Sequence, residues 1–246
     1  MSEKFSFPTE VIDLPSKGLL YAENSPLASG KVEMKYMTAK EEDILTNVNY
    51  ISSGIVIDKL IQSLIVSKIN YDELLIGDKN AILIAARILG YGGEYSFEFR
   101  GKQHTVDLSA LENKPLQEDL FVERKNEFEF KLPFTDNKVT FKLLTHADEK
   151  KIDEEVEGAR KVNKDASVES STRLKHQILS VNGDYTAKTI REFVDNGLLV
   201  RDARALRNYM RDISPDVDTR VQIDGGPEGG FEIPFGVQFF WPDAGI

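Results

Sequence analysis

One pattern occurs twice in this sequence, as Lys31-Val-Glu-Met-Lys-Tyr-Met-Thr38-Ala-Lys-Glu41 and as Lys138-Val-Thr-Phe-Lys-Leu-Leu-Thr145-His-Ala-Asp148. Apolar and polar residues alternate at the start of both copies, which is the period of a half-buried strand. A threonine followed three residues later by an acid then has the spacing of a capping box. Each copy therefore predicts a strand that leads directly into a capped helix, with Thr38, Glu41 and Thr145 in structural roles.

Later elements repeat in the same order. Leu74-Leu-Ile-Gly-Asp78 opens a predicted helix in the first half, and Leu198-Leu-Val-Arg-Asp202 opens one in the second. The first of these helices, over about 79–89, is apolar almost all round and is expected in the core. A hairpin is predicted to close each half, at 95–108 and at 219–233. This ordered series predicts an internal duplication.

The duplication gives a fold class and a division of the chain. We expect an α+β protein of two related halves, each a small antiparallel sheet with a terminal hairpin packed against helices. Recurrent prolines and a glycine near the N-terminus predict an extended arm. The expected segments are an arm at 1–30, a first repeat at 31–115, a connector at 116–137, a second repeat at 138–235 with a polar insertion near 156–171, and an aromatic C-terminal segment at 236–246.

Composition excludes several classes of partner and site. The 246 residues include 31 Lys and Arg against 41 Asp and Glu, a net charge of −10 that would repel nucleic acid and anionic membranes. The sequence has no cysteine, so disulfides and cysteine metal sites are excluded. Its three histidines, His104, His146 and His176, are expected on a turn, near a helix start and in a helix, too far apart to form a local chelating pair. We expect no metal and no cofactor, and no stretch of sequence resembles a secretion signal or a membrane span.

No catalytic motif stands out. The acidic run Asp153-Glu-Glu155 with Glu157 could supply an acid and base pair for hydrolysis, but its members point to different sides of a helix, so a solvated face is favoured. Gly90-Tyr-Gly-Gly93 follows a helix and precedes a strand, the reverse of the order in a phosphate loop. We therefore expect a protein that is not an enzyme, with a hydrolase as the alternative.

Two apolar segments are predicted to bind partners. The arm has apolar residues but too few local contacts to fold alone, and the C-terminal segment is so aromatic that it must be buried in its own core or docked on another protein. The candidate partner-binding residues are Phe5, Phe7, Val11, Leu14, Leu19 and Tyr21 in the arm and Phe239, Phe240 and Trp241 at the other end.

Asp78 and Arg87 lie at opposite ends of the predicted buried helix, where their charges complement the helix dipole. We expect Asp78 to cap the helix and Arg87 to bond backbone or a carboxylate in the same half. A pair that binds a partner directly is the alternative.

The residues also resemble a known family. The stretches that carry the resemblance are Leu14-Pro-Ser-Lys-Gly-Leu19 with Tyr21, Met37-Thr-Ala-Lys-Glu-Glu-Asp-Ile-Leu45, Leu74-Leu-Ile-Gly-Asp78 with Arg87, and Gly90-Tyr-Gly-Gly-Glu-Tyr95. Together they resemble the baseplate hub and hub-assembly chaperone family of T-even-type contractile-tailed phages. The resemblance is close over most of 10–110 and loose in the second half, through the repeat and Phe239-Phe-Trp-Pro242.

The resemblance implies a function without an active site. It implies a non-enzymatic structural or assembly component of a phage baseplate hub, with hub, tape-measure or wedge proteins as partners and a hetero- or homo-oligomer in the baseplate. It places the protein in the host cytoplasm during assembly and in the virion tail. Relatives carry Cys-x-x-Cys knuckles in the hairpins, which this sequence lacks, so strand pairing and apolar contact must hold them here. A general peptide-binding adaptor without a phage role remains a further alternative.

Overall fold

The computed structural model describes residues 8–121, 123–164 and 167–240. It confirms the α+β class, with helices packed on small antiparallel sheets. The helices of the described residues are α1 (Ala39–Leu45), α2 (Val48–Ser52), α3 (Val56–Leu64), α4 (Ile76–Tyr91), α5 (His146–Val162), α6 (Glu169–Gln177), α7 (Ala187–Glu192) and α8 (Val200–Ile213). The strands are β1 (Thr9–Asp13), β2 (Lys31–Lys35), β3 (Glu94–Phe99), β4 (Lys102–Asp107), β5 (Phe128–Lys131), β6 (Lys138–Phe141), β7 (Ile178–Val181), β8 (Arg220–Val221) and β9 (Phe231–Glu232).

The first half starts earlier than the sequence suggested. β1 pairs antiparallel with β2, from Thr9 opposite Lys35 to Asp13 opposite Lys31. The expected extended arm is therefore wrong for this part of the chain, because its backbone hydrogen bonds go to β2 of the same fold. Helices α1 to α3 follow, and Ile65 then returns to pair with Met34.

The end of the first half agrees with prediction. α4 runs through the core, and β3 and β4 form the expected hairpin. Its two turn residues, Arg100 and Gly101, both have positive φ angles of 51° and 74°, which suits the twist of a two-residue hairpin turn.

The second half repeats this order. β5 pairs with β6, β6 pairs with β7 after α5 and α6, and α7, a π-helical turn, α8 and the β8–β9 hairpin follow. The expected connector at 116–137 is corrected, because Phe128–Lys131 is the first strand of the second sheet and Phe128 is buried against Phe141. The polar insertion near 156–171 lengthens α5 as far as Val162.

The opening hairpins of the two halves correspond in detail. Each strand before the turn is followed by Leu-Pro, and the backbone N–H of that leucine donates across the turn: Leu14 to the carbonyl of Gly30 at 2.8 Å, and Leu132 to that of Asn137 at 2.9 Å. The turn is longer in the first half, at 14–30, than in the second, at 132–137. The duplication therefore covers the opening hairpins as well as the predicted elements.

The two halves share one core. A single buried apolar cluster contains residues of both halves. A smaller cluster of Leu144, Ile152 and Val156 is covered by Ile76 at the start of α4. Gly77 also lies against the second half, so closely that a Cβ atom there would be 1.8 Å from the carbonyl oxygen of Pro215.

Candidate functional site

Three of the residues that carry the family resemblance, Ser16, Tyr21 and Asp78, meet in a buried polar cluster at the first turn of α4. The fully buried carboxylate of Asp78 accepts hydrogen bonds from the backbone N–H of Ser16 at 2.9 Å, from Ser16 Oγ at 2.6 Å and from Tyr21 Oη at 2.6 Å. Tyr21 Oη in turn accepts from the backbone N–H of Leu75 at 3.0 Å. The cluster fastens the turn after β1 to the start of α4.

Burial sets the electrostatics of this cluster. Desolvation raises the pKa of Asp78 above the usual carboxyl range, although the donors from Ser16 and Tyr21 oppose that change. Desolvation, followed by the charge of Asp78, also raises the pKa of Tyr21. The expectation that Asp78 caps its helix is wrong: Leu75 is the N-cap, and the Asp78 carboxylate turns to the donors of the facing turn instead.

Arg87 occupies the other end of α4 and is also buried. Its guanidinium donates to backbone carbonyls, from Nη1 to Gly92 at 2.9 Å, from Nη2 to Glu94 at 3.2 Å and from Nε to Phe239 at 3.1 Å. The first two agree with the expected bonds within the same half. The third joins α4 to the C-terminal aromatic segment.

The second half contains an equivalent of the Asp78 cluster. Asp202 is also the third residue of its helix and is also fully buried. It accepts from the backbone N–H groups of Phe134 at 2.9 Å and Thr135 at 3.2 Å, and from Thr135 Oγ1 at 2.7 Å. The acid in the first turn of each of these helices therefore holds the opening turn of its own half.

The first capping box includes a lysine that the sequence analysis did not single out. The carboxylate of Glu41 accepts from the Thr38 N–H at 2.9 Å, from Thr38 Oγ1 at 2.6 Å and from Lys35 Nζ at 2.8 Å. Burial alone would raise the pKa of Glu41, but the bonds from Lys35 and Thr38 outweigh it and lower that pKa.

The second capping box has the same composition. Asp148 accepts from the Thr145 N–H at 3.1 Å, from Thr145 Oγ1 at 3.0 Å and from Lys142 Nζ at 2.7 Å. Burial again opposes ionisation, and the bonds from Lys142 and Thr145 again lower the pKa, here of Asp148. The lysine three residues before each threonine was visible in the repeat, so the repeat could have revealed its role.

The predicted partner-binding residues are largely inside the fold. Four side chains are at most 5% exposed and offer no surface to a partner, which corrects the expectation for Leu14, Tyr21, Phe239 and Phe240. Val11 on β1 is 57% exposed, and Leu19 is half-buried against the core. Phe5, Phe7 and Trp241 lie outside the described residues.

The C-terminal aromatic residues are buried because they pack against the first half. The ring of Phe239 lies 5.1 Å from that of Tyr95, 5.1 Å from that of Phe235 and 5.5 Å from that of Phe240. Together with the bond from Arg87 to the Phe239 carbonyl, these contacts make the segment part of the chain's own core. Of the two alternatives open for these rings, self-burial therefore holds for Phe239 and Phe240.

The terminal hairpins are held together by aromatic rings. Phe231 of β9 lies 4.9 Å from both Phe97 and Phe99 of β3, and His104 of β4 stacks on Phe97 at 5.9 Å. His104 was expected on a turn, but it lies within the strand, where its Nε2 is buried without a hydrogen-bond partner among the described residues.

Two exposed apolar groups, which the sequence analysis missed, remain on the surface. One lies around α2, with Val48 76%, Ile51 43% and Ile55 38% exposed. The other lies at the start of α8, with Phe134 56%, Leu199 52% and Val200 81% exposed. The apolar run Leu198-Leu-Val was visible in the sequence, but it carried no signal of exposure, because the equivalent Leu74 and Leu75 are buried.

A polar cluster links the two halves around His146, the first residue of α5. Lys79 Nζ lies 3.2 Å from His146 Nδ1 and donates to Asp58 at 2.6 Å, and Tyr71 donates to the same carboxylate at 2.9 Å. Desolvation, helped by the charge of Lys79, lowers the pKa of His146. These contacts join α3 and α4 to α5, and the described residues contain no group of three or more His, Asp or Glu that could hold a metal ion.

The acidic run lies on the exposed face of α5. Asp153, Glu155 and Glu157 are exposed, and His176 Nε2 lies 3.0 Å from a Glu155 oxygen. Partial desolvation and the nearby Glu149 raise the pKa of Asp153. This placement agrees with the solvated face favoured from the sequence.

Among the cavities of the described residues, two lie where the halves meet. One, of about 220 Å³, is lined by Glu149 and Arg173, which form two hydrogen bonds of 2.7 and 2.8 Å with each other. The other, of about 600 Å³, is lined by Asn126, whose side-chain amide exchanges two hydrogen bonds of 2.8 Å with the backbone of Leu143. These lining groups already serve the fold.

Comparison with family models, with characterised proteins and with solved structures gives no match to this chain. Among the described residues, no helix has both the length and the apolar character needed to cross a membrane.

Proposed function

We propose that this chain is a non-enzymatic structural or assembly component of the baseplate hub of a contractile-tailed phage. The observation that supports this function is that the residues of the family resemblance are buried and hydrogen-bonded within the chain. Ser16, Tyr21, Asp78 and Arg87 all bond within the chain at buried positions, where they hold the fold and cannot reach a substrate. A motif of this kind identifies a scaffold better than it identifies a catalyst.

The remaining surface supports a role in binding proteins. The exposed apolar groups around α2 and at the start of α8 are the kind of surface that protein partners cover. The net charge of −10 favours a hub, tape-measure or wedge protein with a basic contact face. On this proposal the chain acts in the host cytoplasm during assembly and in the virion tail baseplate.

Capture from infected cells tests the proposal. A tagged chain is expressed during infection by the phage that encodes it, and baseplate proteins are identified in the captured material and in purified virions. We expect hub, tape-measure or wedge proteins in the capture, with salt-sensitive yield because charge contributes to association. Normal baseplates in the absence of the chain, together with capture of none of these proteins, would contradict the proposal.

Complementation separates this function from the hydrolase alternative. The double variant Asp153→Asn, Glu157→Gln removes two of the candidate acids from an exposed helix face and should leave the fold intact. If the chain is structural, the variant restores infectivity as well as the wild type does. Loss of infectivity with normal unfolding and normal partner capture would instead favour the hydrolase.

A further inference from the structure

The two halves of this chain are joined by a short antiparallel contact. Leu75 lies opposite Thr145; the backbone N–H of Ile76 donates to the carbonyl of Leu144 at 3.2 Å, and that of His146 donates to the carbonyl of Leu74 at 2.8 Å. We call the segment 74–76, which ends at the first residue of α4, a helix-start edge. We call the segment 144–146, which ends at the first residue of α5, a cap edge. Within the chain, the helix-start edge of the first half sits on the cap edge of the second.

The duplication provides each half with both edges. The helix-start edge of the second half is 198–200, which ends at the first residue of α8. The cap edge of the first half is 37–39, which ends at the first residue of α1. The backbone angles match: φ and ψ are −63° and 148° at Leu75 and −63° and 144° at Leu199. They are −123° and 174° at Thr38 and −99° and 171° at Thr145. The unused pair of edges thus has the conformation of the pair that already forms a contact.

These two edges are open in the single chain. Leu199 is 52% and Val200 81% exposed, whereas Leu75, which is covered by the second half, is 3% exposed. Within the described part of the chain, the N–H groups of Val200 and Ala39 donate to no acceptor, and the carbonyls of Leu198 and Met37 accept no hydrogen bond. Both edges therefore lack the partner that their equivalents have.

Charge around the open edges is complementary. The start of α8 presents the exposed Arg201 and Arg204, and α1 presents the exposed Glu42 and Asp43 beside the open cap edge. Opposite charges flanking an apolar contact speed association and fix its orientation, although the chain as a whole is acidic.

We propose that copies of this chain associate head to tail, with the helix-start edge of the second half of one copy docked on the cap edge of the first half of the next. The N–H of Val200 donates to the Met37 carbonyl of the next copy, and the Ala39 N–H of that copy donates back to the Leu198 carbonyl. The contact repeats between chains the arrangement that joins the halves within a chain. Because it is heterologous, it closes into a ring or extends as a filament. It requires no other phage protein.

Two substitutions remove one edge each and suit their helices. Val200→Asp places a charge in the apolar contact, and an acid is favoured in the first turn of a helix. Ala39→Pro removes the donating N–H, and proline is favoured at the first helical position after an extended residue such as Thr38. Val162→Lys is the control, because it places a charge at a 91% exposed valine outside both edges, at the last position of α5, where a cation is favoured.

Sedimentation velocity of the purified full chain over a range of concentrations measures the association, with thermal unfolding as the check that each variant folds. We expect the wild type and Val162→Lys to exceed the 27.7 kDa monomer as concentration rises. Val200→Asp and Ala39→Pro should each associate at least about tenfold more weakly, as the loss of a central contact implies.

Mixing the two variants tests the direction of the contact. Each variant keeps one intact edge, so an equimolar mixture of Val200→Asp and Ala39→Pro should form dimers and nothing larger. A wild type that stays monomeric at every concentration, variants that associate normally, or a mixture that stays monomeric would each overturn the proposal. Because no other phage protein is present, such a failure would leave the proposed hub function standing.

Discussion

The hydroxyl of Tyr21 donates to the buried carboxylate of Asp78 at 2.6 Å and accepts from the backbone N–H of Leu75 at 3.0 Å. One phenol thus connects the opening turn of the first half with both the N-cap and the first turn of α4. The second half makes the corresponding connection to Asp202 through the shorter side chain of Thr135.

Tyr21→Phe should lower the free energy of unfolding by about 1–3 kcal/mol, because it removes a donor from Asp78 and leaves the Leu75 N–H buried without its acceptor. Urea denaturation measures this change. Tyr185→Phe, at a tyrosine that is 61% exposed, is the control and should change stability by less than about 0.5 kcal/mol. Equal stability of Tyr21→Phe and the wild type would contradict the role given to this hydroxyl.

The Asp148 capping box should make stability depend on acid. The pKa of Asp148 is lowered in the folded state, so its contribution is present above the unfolded carboxyl pKa of about 3.9 and is lost as pH falls through the folded value. Asp148→Asn should therefore reduce stability at pH 7 and flatten the loss between about pH 4 and the folded pKa. Unfolding free energies across this range measure both effects.

Asp78 acts in the opposite direction and is the internal contrast. Its pKa is raised, so its contribution to stability is greatest below the unfolded carboxyl pKa and declines as pH rises through the folded value.

Asp43→Asn, at an exposed carboxylate on α1, is the control for Asp148→Asn. If the free energy of unfolding falls as steeply at acid pH in Asp148→Asn as in the wild type, the Lys142 and Thr145 bonds do not stabilise the ionised carboxylate.

Arg87→Met should expose the C-terminal aromatic segment to protease. It keeps a long apolar side chain but removes the donors to the carbonyls of Gly92, Glu94 and Phe239. If local opening becomes easier by about 1.4 kcal/mol, the opened population rises about tenfold. Chymotrypsin cleavage after Phe239 and Phe240 measures that population. Arg160→Met, on the exposed face of α5, should cleave at the wild-type rate.

Gly77→Ala should destabilise the protein at the contact between its two halves. A Cβ atom at Gly77 would meet the Pro215 carbonyl oxygen at 1.8 Å, so the backbone must shift, at a cost of about 1–3 kcal/mol or more. Gly158→Ala is the matched control: this helical glycine has nothing within 4 Å, and alanine should stabilise α5 by up to about 1 kcal/mol. Thermal unfolding of both variants should show opposite signs. Tolerance of Gly77→Ala would mean that the halves are less closely packed there.

The elements that could be predicted from sequence are those set by local period. The strand before Thr38, its capped helix and the helix that begins near Asp78 all follow from apolar spacing and cap chemistry. β1 was not predicted, because Pro8 and Pro15 flank it and suggested an arm. β5 alternates Phe128 and Phe130 with charged residues, so its period is readable, but it lies before Lys138, where the sequence repeat begins in the second half.

The candidate site was less predictable, because it depends on contacts between distant residues. No local pattern shows that the Asp78 carboxylate meets Tyr21, 57 residues earlier, in place of its own helix. The burial of Phe239 depends on the bond that its carbonyl accepts from Arg87, 152 residues earlier in the chain, and on contact with the ring of Tyr95. Composition predicts that such rings need cover, and only the tertiary structure supplies it.

The bond from Arg87 to the Phe239 carbonyl has a consequence for synthesis of the chain. A nascent polypeptide that has emerged only as far as β4 contains Arg87 and Tyr95, but not the carbonyl and ring of Phe239 that complete their surroundings. The first half therefore reaches its final packing only after the second half has left the ribosome. Although the sequence is a tandem duplication, its two copies mature together and not in the order in which they are translated.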